Sequence, residues 1–208
     1  MPGLNGGRNP RVTLTTHLKN CCTSKKLVAL CGMVDFSSKS CPLFFDHWMS
    51  LRGDTPMPEN TVFFDNAQPD FAPGTYILEL VNETAVVRLM GTGLVEQWGS
   101  DQTGKIVGSA QGEGLEKAWY YNGLHIVNQP CGMLVNSYFK STKGRTSMIE
   151  SIALPLASSP GSPNRVVSYT EVVDDLGYRE HPEVWLETPT ILWVDIGHGC
   201  PSDPPMVR

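Results

Sequence analysis

Tyr76-Ile77-Leu78-Glu79-Leu80-Val81 and Ala85-Val86-Val87-Arg88-Leu89-Met90 are two strand-like runs separated only by Asn82-Glu83-Thr84. Apolar and β-branched residues dominate both, and the intervening residues are turn-compatible, so 76–90 is predicted to form a β-hairpin. Immediately downstream, Gly91-Thr92-Gly93 breaks the second strand. Thr92 is placed to cap a short helix through Trp98, Gly99 to end it, and Ser100–Gly104 to form a polar turn. Upstream, Pro42 to Arg52 carries Phe44, Trp48 and Leu51 at i, i+4 and i+7, which predicts an amphipathic helix. Pro42 suits its first turn and Gly53 its end. A polar connector, 54–73, joins that helix to the hairpin.

Beyond the turn, residues 112–128 predict a second long helix. Leu115, Ala118, Trp119 and Asn122 share one face, Tyr121, Leu124 and Val127 an adjacent one, and Pro130 and Gly132 stop it. Three strand runs follow, 133–140, 146–156 and 165–172, separated by a short turn and by the Pro/Ser/Gly loop 157–164. Thr146, Met148, Glu150, Ile152 and Leu154 alternate with their odd-numbered neighbours, the pattern of a half-buried antiparallel strand. The expected fold class is α+β: a five-stranded antiparallel sheet with helices across one face, plus an N-terminal amphipathic helix.

The charge divides unevenly along the 208 residues. Residues 1–40 hold six basic residues against one acid, a net +5; residues 41–208 hold ten basic against twenty acidic, a net −10, and together these recover the chain's −5. An acidic body repels nucleic acid and anionic lipid, so neither is an expected partner. The expected organisation is a basic leader over 1–40, one domain over 41–177, and an extension over 178–208. Lack of periodicity before Met33 suggests that 1–32 is an upstream extension. The extension at 178–208 carries Trp185 and Trp193, which suit packing on the body or on a partner, while 196–208 is expected to fray. Apolar runs stay far short of 18 residues, which predicts no membrane span. The six cysteines contain no C-x-x-C pair, and reduced thiols in the cytoplasm are their simplest account.

Arg88-Leu89-Met90-Gly91-Thr92-Gly93 followed by Gly99-Ser100-Asp101-Gln102-Thr103-Gly104-Lys105 resembles a signature of bacterial single-domain PAS proteins. There a strand ending in R-L-x-G-T leads through a short helix to a G-x-D-x-T-G-[KR] turn. Phe45, Trp48, Leu51 and Arg52 with Pro58, and Leu154-Pro155-Leu156, are similar to two further segments of that family, so the likeness spans roughly 42–175. It implies a sensory or adaptor module. The physics of Arg88, Gly91, Thr92, Asp101, Thr103 and Gly104 is structural. Gly91 and Gly104 are expected at positive φ, and Asp101 and Thr103 are expected to bond nearby backbone N–H groups.

Other constellations are weaker. Gly91-x-Gly93 has Glu96 where a dinucleotide fingerprint needs its third glycine. The five histidines are scattered and no G-x-S-x-G elbow occurs. Cys131 reads as a buried structural thiol. His125 sits where the resemblance places a haem ligand, so haem is an optional cofactor; the sequence requires none. Trp98, Trp119, Tyr120, Leu124, His125, Leu134 and Met148 are the candidates for lining an apolar ligand pocket. The leading expectation is a sensor that binds a small ligand and acts in trans on a signalling partner or on itself as a homodimer. Alternatives are a filled-core dimerisation module using an exposed sheet face and the tail tryptophans, and a small enzyme pairing Glu150 with Tyr169 in the cavity.

Overall fold

The computed structural model describes residues 27–29, 32–109, 113–180 and 189–207. Most of the basic leader, with His17, lies outside the described residues, as do Trp185 and His181, while the suggested boundary before Met33 falls between two described residues, Gly32 and Met33. A short pair, β1 (Leu27–Ala29) and β2 (Gly32–Val34), precedes the body. Helix α1 (Cys41–Arg52) and the shorter α2 (Asn60–Asp65) lead into a 3₁₀ turn at Ala72–Gly74. Strands β3 (Thr75–Val81) and β4 (Thr84–Met90) follow, then helices α3 (Thr92–Trp98) and α4 (Glu113–Asn128). Strands β5 (Gly132–Lys140), β6 (Thr146–Leu156), β7 (Asn164–Gly177) and β8 (Thr190–Val194) complete the chain.

β3 to β8 form one six-stranded antiparallel sheet in the order β4-β3-β7-β6-β5-β8, so the fold is α+β. The β3–β4 turn places Asn82 at φ 49° and Glu83 at φ 59°, the paired positive values whose twist matches a tight hairpin. The sixth strand, absent from the five expected, is β8: Leu192 of the C-terminal stretch pairs with Leu134 on β5. The outer edge of β4 is shielded in turn. Gly104 N donates to Val87 O at 2.8 Å, Val87 N to Lys105 O at 3.0 Å, and Val107 N to Ala85 O at 2.9 Å. An edge closed this way offers no free ladder for strand addition along those residues.

Helices were expected across one face; instead the sheet is covered on both. Phe44, Phe45 and Trp48 of α1, all at most 1% exposed, pack with Ile77, Leu134, Ile152, Leu154 and Val167 on one side. Ile126 of α4 packs with Leu78, Val87, Met133, Ala153 and Val166 on the other. β6 lies in the middle and is buried on both faces, not half-buried as its alternation suggested, because each parity meets a different helix. The Trp48 indole N–H donates to Pro155 O at 3.0 Å, so this ring fills the core without orphaning its polar atom. Residues 196–207 are not frayed. Ile196 is 2% exposed, and Asp195 Oδ1 accepts the N–H groups of Gly197, His198 and Gly199 at 2.7, 3.1 and 3.0 Å, turning the chain back over the body. Among the described residues, no helix is long and apolar enough to cross a membrane.

Candidate functional site: an apolar cavity under the C-terminal segment

The glycine-rich stretch 91–104 sets the site's geometry. Gly91 has φ −66°, not the positive value expected; it is needed for space. A Cβ there would stand 2.2 Å from Ala72 O and 2.5 Å from Pro73 O, so only glycine lets β4 pass so close to the 3₁₀ turn. Gly91 is also the N-cap of α3, and no side chain caps the helix, so the capping role assigned to Thr92 is not seen. Gly104 does take positive φ, +82°, and Asp101 Oδ1 accepts Thr103 N–H at 2.8 Å, closing the turn. That hydrogen bond holds the Asp101 carboxyl below the usual range. Arg88 stands 3.8 Å from Glu79 at the exposed edge.

With α3 on one side and the loop 102–109 pinned to the β4 edge, a cavity of about 440 Å³ remains between them, α4 and β5. The α4 face read from the sequence, Leu115, Ala118, Trp119 and Asn122, lines it in full. Trp98 lines it too, stacked on Phe139 of β5 with ring centroids 4.2 Å apart. Thr142 clamps the end of α3 through its N–H and Oγ1, both donating to Trp98 O. Met133, Val135 and Ile149 floor the cavity from the sheet. Lys140 is the one charged residue among the described residues lining it, and its Nζ is paired with Glu180 at 2.9 Å. Burial pushes the Tyr76 hydroxyl at the cavity's edge up to about 12, so it stays a neutral hydrogen-bonding group.

Of the seven pocket candidates, Trp98 and Trp119 line the cavity. Tyr120 and Leu124 are partly buried against the α4-side core. His125 is exposed, its ring 5.9 Å from that of Trp193, and it does not reach the cavity; the haem option placed on it has no site there. Leu134 belongs to the α1-side core, and Met148 shares the parity of Ile152 and Leu154 on that same side; their neighbours Met133 and Ile149 line the cavity instead. Strand alternation made both parities visible but not which one met α4.

Glu150 and Tyr169, expected as a cavity pair, sit on the α1 side. Glu150 is fully buried, with Oε2 accepting Ser37 N–H at 2.7 Å and Oε1 accepting Ser38 N–H at 3.0 Å. Tyr169 stacks on Phe44 at 5.2 Å. Cys131 is fully buried, and burial pushes its thiol up to about 12, as expected of a structural cysteine. No group of three or more His, Cys, Asp or Glu suited to a metal ion occurs among the described residues.

Sequence reasoning missed the contribution of the C-terminal segment. Pro189, Ile191, Met206 and Val207 line the cavity, and Asn122, only 3% exposed, joins its carboxamide to the Met206 backbone. Asn122 Nδ2 donates to Met206 O and Met206 N–H donates to Asn122 Oδ1, both at 2.8 Å. A lone polar residue on the apolar face of α4 was the available signal. Compared with known proteins, the chain matches no family model and no curated protein.

Proposed function

We propose that this chain is a PAS-type sensory or adaptor module that binds a small, largely apolar ligand and acts in trans on a protein partner in the cytoplasm. The observation that carries the reading is the cavity of about 440 Å³, walled by Leu115, Ala118, Trp119 and Trp98. Small-molecule sites typically measure roughly 300–1,000 Å³, are apolar, and carry a few polar groups that orient the ligand. Here Asn122, Gln102, Ser137 and Thr142 are such groups. The side-by-side placement of the 75–90 hairpin and the closing strands in one antiparallel sheet, with helices between them in sequence, accords with the PAS likeness. A cavity of this size favours ligand binding over the filled-core alternative.

Binding changes output only by favouring one of two states of the cavity's walls. Native mass spectrometry of the purified chain is expected to show a co-purified small molecule. A thermal-shift screen of metabolites is expected to find apolar compounds that raise Tm. A clean apo mass together with no stabilising compound refutes the reading.

A further inference from the structure

We infer that Asn122 selects the cavity's ligand, and that Met206 occupies its place as a self-ligand. The ligand class is an N-acyl α-amino carbonyl compound. The inference rests on the cavity being a ligand site. Met206 offers one N–H and one C=O flanking a single tetrahedral carbon, both taken up by one buried carboxamide at 2.8 Å. A carboxamide presents a donor and an acceptor side by side, so this pairing reads the backbone unit and ignores the side chain. The Met206 side chain is 39% exposed and adds little selectivity.

The occupant belongs to a segment without regular structure. Residues 198–207 contain no helix or strand; the His198 ring lies 3.4 Å from Arg52 Nη1, and Trp193 Nε1 donates to Asp203 O at 2.8 Å. Asn122 lies out of water, and stranding its donor and acceptor is costly, so Met206 leaves readily only when something offers the same pair. An N-acyl amino acid derivative does so. Its acyl chain supplies the apolar body that Leu94, Trp98, Trp119 and Phe139 accept. Ligand entry and release of the C-terminal segment then become one event, and the freed segment reports the bound state to a partner.

The test uses N-octanoyl-L-methionine methylamide and its ester analogue, in which the acyl-bearing N–H is replaced by oxygen. Calorimetry on the full chain is expected to give about tenfold tighter binding of the amide, the difference one hydrogen bond to a buried group makes. Amide binding, read by hydrogen exchange, is expected to expose the Met206 N–H. Asn122→Leu, which removes the acceptor for that N–H, is expected to bind both compounds alike. A chain ending at Asp203, which lacks the self-ligand, is expected to bind the amide more tightly than the full chain does. Equal affinity for amide and ester in both the full and shortened chains overturns the inference and leaves the cavity reading standing. If 1-anilinonaphthalene-8-sulfonate, a general apolar probe, also fails to bind either chain, the cavity reading falls and the inference with it.

Discussion

Glu150 on β6 and Glu171 on β7 are direct cross-strand partners, and both carboxylates turn onto the segment that enters α1. Like charges in this position repel. Here they are offset by backbone donors: Ser37 and Ser38 N–H groups on Glu150, and Ser40 N–H on Glu171 at 2.8 Å. Ser40 is the N-cap of α1, whose dipole also favours negative charge at this end. The pair therefore fastens the N-terminal segment to the centre of the sheet. Glu150→Ala strands two N–H groups and is expected to destabilise the fold by about 2–4 kcal/mol, against about 1 kcal/mol for Glu171→Ala. Urea unfolding measures both, and equal small shifts would show that the carboxylates do not anchor α1.

Cys41 and Cys131 are expected to act as inert core atoms. Burial is the main cause that lifts each thiol from 9.0 to about 12. In the unfolded chain both begin to lose protons near pH 9, while the folded chain holds them to about 12. Stability is thus at its full value below pH 9 and falls as pH rises toward 12. Cys131→Ala is expected to flatten that alkaline decline. Iodoacetamide is expected to leave both thiols unmodified in the native protein and to label them in urea, as read by mass spectrometry.

The two signature glycines should respond differently to alanine. Gly91→Ala drives a Cβ into the Ala72 and Pro73 carbonyls and is expected to cost about 3 kcal/mol. Gly104→Ala meets nothing within 4 Å and bears only the positive-φ penalty, about 1–2 kcal/mol. Denaturation midpoints ranked in the opposite order would contradict the close-approach account of Gly91.

Filling the cavity should abolish binding without harming the fold. Ala118 is 2% exposed and faces the open volume, so Ala118→Leu adds atoms where space exists. Its stability is expected to stay within about 1 kcal/mol of the parent, because overpacking penalties apply to sites already full. Any co-purified ligand should disappear from its native mass spectrum. Retained ligand at unchanged occupancy would place the binding site elsewhere.

Much of the site's outline was legible because it depends on short-range periodicity. The α4 face 115-118-119-122 follows from helical spacing, and the Asp101–Thr103 turn from side-chain reach. Strand parity explains two of the misplaced residues. Leu134 and Met148 carry the same alternating signal as Met133 and Ile149, and nothing local records which set will lie beneath α4. His125 shares α4 with the lining residues but sits near its C-terminal end, exposed beside Trp193.

By itself the sequence determined the hairpin, the long helices and the closing strands, since each is set by residue spacing and by turn residues within a few positions. Only tertiary structure decided that α1 and α4 take opposite faces of the sheet, that β8 pairs with β5, and that Met206 closes on Asn122. Each of these joins residues far apart in the chain. Their contact depends on which apolar surfaces remain uncovered once the sheet has formed, a property of the assembled layers and not of any one segment.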